Sequence, residues 1–126
     1  MRVFKTRSFT KEAAGHGLTD ADLRRAIQEM ESGLVDALLG GELVKKRVAR
    51  MGGGKSGGFR TVIAWRQGDR AFFLHVFGKN EKANVSPREL KTLKALGKAL
   101  MAMEPAAIEA ALTGNALEEV PYVENP

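Results

Sequence analysis

The spacing of apolar residues along the chain predicts an alternation of strands and helices. Apolar and charged positions alternate between Met1 and Phe9, which predicts a first strand, and a single helical turn is expected at residues 10–12. A longer helix follows, because Thr19 and Asp22 have the spacing of a capping box and Gly33 stops the pattern. Its apolar residues recur at helical intervals: Leu23, Ala26, Ile27 and Met30.

The pattern predicts strands in the middle of the chain and helices in its last third. Residues 43–50 are rich in strand formers, residues 51–58 form a glycine loop, and two apolar runs at 59–66 and 70–77 flank a tight turn. Residues 34–39 are predicted to form a packed connection between the longer helix and the strand that follows it. Ser86, Pro87 and Glu89 begin a helix in the order expected of an N-cap, and Pro105 opens a short alanine-rich helix. Residues 118–126 are acidic and are expected to fray.

This order predicts an α+β fold, with a small antiparallel sheet of about four strands and helices packed on one face. The first strand, far from its partners in sequence, is expected at an edge of the sheet. We expect one domain over residues 1–104, followed by an appended short helix and acidic tail over residues 105–126.

Charge is distributed unevenly along the chain. The net charge is +5, but residues 43–98 hold fourteen Lys and Arg against three acids, a balance of +11, whereas residues 99–126 hold five Glu and no cation. A basic block inside a folded region fits a polyanionic partner. The acidic end is expected to lie away from that partner, and the alternative is that it folds back over the cations and masks them.

Several kinds of chemistry are excluded by what the sequence lacks. There are no cysteines and only two distant histidines, so thiol chemistry and a zinc site are not expected. His75 lies in an apolar strand and is expected to be a packing residue. The Gly-Lys-Ser of the glycine loop lacks the spacing of a nucleotide-binding loop. No apolar run is long enough to span a membrane and no signal peptide is visible, so a cytoplasmic protein without cofactors is expected.

The remaining candidates are cations on the predicted strands. Alternation places Lys45 and Arg47 on one face of their strand and the flanking valines on the other. Lys46 and Arg50 fall on the side of the valines, which is a less favourable position for a charged side chain. Further cations stand on the glycine loop, at the start of the next strand and after the last one: Lys55, Arg60 and Lys79. Fixed cations of this kind stabilise the negative charge that a phosphodiester gains in its transition state. Solvated strand charges are the plainer alternative.

Three blocks of sequence, in order, resemble the HigB branch of the RelE/ParE toxin superfamily. They are the basic strand at 43–50, the Gly-Lys-Ser-Gly-Gly-Phe-Arg segment at 54–60 and the Phe-Gly-Lys-Asn-Glu segment at 77–81. The resemblance implies a ribosome-dependent endoribonuclease that cleaves mRNA in the ribosomal A site through attack by a 2′-hydroxyl. It also implies a cognate antitoxin, a helix-turn-helix protein by our expectation.

The resemblance assigns roles to individual residues. The catalytic positions match Lys45, Arg47, Lys55, Arg60 and Lys79, with Arg60 and one of the strand cations as phosphate stabilisers and Lys79 or Lys55 for proton transfer. Asn80 follows Lys79 in the matching segment, and we expect it to bind RNA together with Lys46, Arg50 and Lys82. Residues 82–86 lack the tyrosine or histidine that many RelE-like nucleases carry there, so the identity of the base stays open. The alternatives are a ParE-like inhibitor of DNA gyrase, a non-catalytic RNA-binding module and an inactive toxin.

Overall fold

The computed structural model describes residues 1–49, 58–78 and 85–123 of the chain. In chain order, the elements of these residues are β1 (Arg2–Thr6), α1 (Arg7–Gly15), α2 (Asp20–Glu31), β2 (Ala37–Gly40), β3 (Leu43–Val48), β4 (Phe59–Arg66), β5 (Arg70–Gly78), α3 (Pro87–Met101), α4 (Pro105–Thr113) and β6 (Leu117–Val120).

The strands form one mixed sheet in the order β2-β3-β4-β5-β1-β6. Strand β1 runs parallel to β5 and antiparallel to β6, and the other neighbouring strands are antiparallel. The α+β class is confirmed, but the sheet has six described strands where about four were predicted. Strand β1 also lies inside the sheet and not at its edge, because the short strand β6 covers its outer side.

Helices pack on both faces of the sheet. Helices α1 and α2 cover one face, with Phe9, Leu23 and Ile27 in its core. Helices α3 and α4 cover the other, where Leu100 and Ile108 are buried. The prediction of helices on one face alone is therefore wrong. The reason lies in β5, where the consecutive residues 72–74 are all buried, so apolar side chains on both faces of the strand need cover.

The helix starts follow the capping signals of the sequence. Thr19 and Asp22 form a complete capping box on α2, and Ser86 and Glu89 form another on α3. The predicted first strand is shorter than expected, because the Thr6 side chain accepts a hydrogen bond from the backbone N–H of Phe9 and caps α1. The 34–39 segment is not a simple connection, since its second half is part of the edge strand β2.

The end of the described chain is part of the core. Leu117 and Val120 of β6 are 2% and 1% exposed, and α4 packs beside them. Glu119 accepts two hydrogen bonds of 2.9 Å from Arg2. The expectation of a frayed tail is therefore wrong for residues 118–120. The masking alternative fails as well for these residues, because β6 lies four strand spacings, about 19 Å, from β3.

We predict that truncation after Ala116 strongly destabilises the protein. It removes two fully buried side chains, each contributing about 1.5–3 kcal/mol, from a fold whose total stability is about 5–15 kcal/mol. Urea denaturation followed by circular dichroism measures the effect. Truncation after Val123 is the control, because it leaves β6 intact. Equal unfolding midpoints for the two truncations would contradict the structural role of β6.

We also predict that the Arg2–Glu119 pair stabilises the fold at neutral pH and not in acid. The hydrogen bonds from Arg2 lower the pKa of Glu119 below its ordinary value. The contribution is therefore complete above the ordinary pKa of glutamate, about 4.3, and is lost as the pH falls through the lowered value. Glu119→Gln should be less stable than the unsubstituted protein at about pH 7, and the difference should shrink towards about pH 2. A difference that is independent of pH would rule out this pair as its cause.

Candidate functional site

Three of the predicted catalytic residues come together on the β3–β4 hairpin. Arg47 lies directly opposite Arg60 in the antiparallel register, and Lys45 lies two residues before Arg47 on the same face. Side chains in directly opposed positions have Cβ atoms about 4.5–5.5 Å apart. We call Lys45, Arg47 and Arg60 the cationic cluster. The sequence prediction that these residues share a face is confirmed.

The cluster belongs to the sheet face that α3 and α4 cover, at a place beyond the reach of those helices. Residues of β3 and β4 in the same alternation, Leu43, Val62 and Ala64, are buried under α3 and α4. At the other end of β3 the three cations line a cavity of about 120 Å³. A water molecule occupies about 30 Å³ of liquid, so the cavity has room for about four waters or one phosphate group.

Asp36 completes this cavity and was not identified from the sequence. Its carboxylate accepts a hydrogen bond from the backbone N–H of Arg47, and its own backbone N–H donates to the carbonyl of Lys45 at 3.1 Å. Asp36 precedes β2, a strand that the sequence pattern did not show. Its carboxylate holds the edge of β3 in place and brings one negative charge to a pocket of three positive ones.

Lys46 is not part of the cluster. It lies on the opposite face of β3 with the valines, is 5% exposed, and its Nζ is 2.8 Å from a carboxylate oxygen of Glu29 on α2. The Thr61 hydroxyl also donates to the Lys46 carbonyl at 2.8 Å. A buried, paired lysine under a helix is a structural residue, so its predicted RNA-binding role is corrected.

The other predicted site residues lie outside the described residues. They are the catalytic candidates Lys55 and Lys79 and the RNA-binding candidates Arg50, Asn80 and Lys82. Their roles stay predictions. The segments that hold them follow β3 and β5, the strands on either side of β4.

His75 has partners that no sequence pattern revealed. Its Nδ1 is 3.2 Å from a carboxylate oxygen of Glu12 on α1, and its Nε2 is 3.9 Å from one of Glu89 on α3. Its ring also lies against Phe77, with centroids 5.6 Å apart. The residue is thus a packing histidine with added carboxylate contacts. Those contacts come from helices distant in sequence, which explains why local patterns missed them.

Across residues 1–49, 58–78 and 85–123, no group of His, Cys, Asp and Glu is arranged to hold a metal ion. Within the same residues, no helix has the length and apolar character to cross a membrane.

The sequence that folds into this small α+β protein matches the model of a known family. The family model described as RelE toxin of the RelE/RelB toxin–antitoxin system matches residues 1–120. The chain therefore belongs to the RelE toxin family. The match includes α4 and β6, in agreement with their place in the core. No curated protein matches the chain.

We predict that Lys46 and Arg47 differ sharply in their contribution to stability. Lys46→Ala removes a buried aliphatic stem, at about 0.8 kcal/mol for each CH₂, so we expect a loss of about 2–3 kcal/mol. Arg47→Ala changes an exposed side chain and should alter stability by about 0.5 kcal/mol or less. Denaturant midpoints of the two variants give the comparison. Similar midpoints would show that Lys46 is not a structural residue.

Proposed function

We propose that the protein is a ribosome-dependent endoribonuclease that cleaves translated mRNA in the A site, with the cationic cluster at its active centre. The observation that carries this proposal is the direct cross-strand pairing of Arg47 with Arg60. Like charges in opposed positions destabilise a sheet. Their pairing, at an end of the hairpin that none of the described helices covers, is understandable if an anion binds between them.

The proposed reaction needs little from the protein beyond charge and proton transfer. The 2′-hydroxyl of a nucleotide attacks its own 3′ phosphate, so a 2′-O–P bond forms and the bond to the 5′ oxygen of the next nucleotide breaks. The hydroxyl proton leaves to a base, and the departing 5′ oxygen gains a proton from an acid. The products are a 2′,3′-cyclic phosphate and a 5′-hydroxyl end.

In the transition state the non-bridging oxygens of the phosphate carry added negative charge. Arg60 and Arg47 are fixed on paired strands, so they require little reorganisation to stabilise that charge. Lys45, two residues before Arg47 on the same face of β3, adds a third positive charge beside the two arginines. For proton transfer we retain the predicted candidates Lys79 and Lys55, because clustered lysines lower one another's pKa and can then exchange protons near neutrality.

Membership of the RelE family also supports a protein partner. We propose a cognate antitoxin that neutralises the toxin by direct contact in the cytoplasm, and a helix-turn-helix protein remains our expectation for it. The HigB-like branch stays a prediction. A ParE-like gyrase inhibitor of the same fold would have no use for a phosphate-sized cavity lined by three cations.

We predict that expression without an antitoxin arrests translation and that Arg60→Ala abolishes this effect. Primer extension on cellular mRNA should show cuts within translated codons. Loss of one transition-state contact typically lowers the rate about 100- to 1000-fold. Arg60 is partly exposed and lies under none of the described helices, so the fold should be retained.

Arg7→Ala is the matched control, since Arg7 is an exposed arginine at the start of α1, on the other side of the sheet. This variant should cleave normally. Intact messages together with inhibited gyrase would overturn the proposal in favour of the ParE-like alternative. A folded Arg60→Ala protein with full activity would overturn the assignment of the active centre.

A further inference from the structure

A second group of cations lies on one flank of α3. Arg88, Lys91, Lys94 and Lys98 are all exposed and recur at intervals of three or four residues, so they form a continuous stripe along the helix. From Arg88 to Lys98 the stripe is about 15 Å long, at 1.5 Å per residue. We call these four residues the basic ridge.

The ridge differs from several other described cations of the protein in having no acidic partner among the described residues. Arg2, Lys5 and Lys46 are all within hydrogen-bond distance of carboxylates. The ridge cations form no such ion pair within the described part of the chain. Glu89, the one acid of α3, caps its own helix by accepting from the backbone N–H of Ser86 at 3.2 Å.

Lys94 and Lys98, in the C-terminal half of the ridge, lie on the flank of α3 that faces the β2–β3 turn. The Nζ of Lys94 is 3.2 Å from the position that a Cβ would take at Gly40 in that turn. Between this flank and the turn lies a cavity of about 420 Å³, to which Lys94, Lys98 and Gly41 contribute. Arg88, at the N-terminal end of the ridge, lies one turn before Thr92 and lines a separate cavity of about 380 Å³ with His75 and Glu89.

The ridge and the cationic cluster lie on the same side of the sheet. Helix α3 crosses this face with Gly97 against Leu43, at the start of β3. Arg47 of the cluster is four residues further along that strand, which corresponds to about 13 Å. The helix that carries the ridge and the cationic cluster thus lie over the same face of β3.

We propose that the basic ridge binds the phosphate backbone of structured RNA beside the message. This inference rests on the proposed function, because it names a second RNA contact of the same face. The cluster acts on the scissile phosphate, and the ridge holds the enzyme on its substrate complex. One strand of a nucleic-acid duplex presents about one phosphate per 3.4 Å of axis, so a 15 Å ridge spans about four phosphates.

The test compares two variants of the full-length protein with the same change in net charge. Lys91→Gln with Lys94→Gln neutralises the ridge. Arg7→Gln with Lys11→Gln neutralises two exposed cations of α1, on the opposite side of the sheet. Binding to a fluorescently labelled 20-base-pair RNA duplex is measured by anisotropy over a series of salt concentrations, and thermal unfolding verifies that both variants fold.

We expect the ridge variant to bind the duplex about tenfold more weakly, with a salt slope reduced by about two, since each lost phosphate contact removes close to one unit. The α1 variant should bind almost as the unsubstituted protein does. In a ribosome-dependent cleavage assay, the ridge variant should need more enzyme to reach an unchanged maximal rate, whereas Arg60→Ala should lower the maximal rate.

Equal weakening in both variants would overturn the proposal, because only net charge would then matter. Unchanged duplex binding by the ridge variant would also overturn it, and a selective loss of binding to polyglutamate would indicate an acidic protein as the partner of this flank. If the unsubstituted protein cleaves no mRNA, the proposed function fails, but the duplex comparison still decides the role of the ridge.

Discussion

The burial of the β4–β5 hairpin on both of its faces is the constraint on which the other features of the structure depend. Because Phe72, Phe73 and Leu74 are consecutive and all inaccessible to solvent, no single layer of helices can cover them. Two helix pairs therefore enclose the sheet, and α3 crosses the face that carries the cluster. None of the described helices covers the end of β3 and β4 that carries the cluster, so the position of the site follows from where these helices end.

Strand β3 shows how alternation divides neighbouring cations between two roles. Lys46 points towards α2 and pairs with Glu29, whereas Lys45 and Arg47 point the other way and line the small cavity with Arg60. A shift of one residue in register would exchange these roles. Asp36 opposes such a shift, because its carboxylate and its backbone bind β3 at two successive points. The geometry of the cluster thus depends on the edge strand beside it.

Sequence patterns predicted the features that local chemistry controls. The two capping boxes, the β4–β5 hairpin and the shared face of Lys45 and Arg47 are all properties of neighbouring residues, and all are present. Patterns failed where distant segments meet. Strand β6 is only four residues long, and its pairing with β1 depends on partners at the other end of the chain. The contacts of His75 with Glu12 and Glu89 have the same origin, and the residues predicted for proton transfer lie outside the described part.

The position of β1 within the sheet has a consequence for the order of folding. The strand pairing that forms the cluster brings together Arg47 and Arg60, which are close in sequence. Closing a short loop costs little conformational entropy. Strand β1, in contrast, pairs Val3 with Ala71 on one side and with Val120 on the other. Contacts of such long sequence separation slow folding. The hairpin that carries the cluster can therefore form early, while the sheet around it is complete only after the two most distant strands have met.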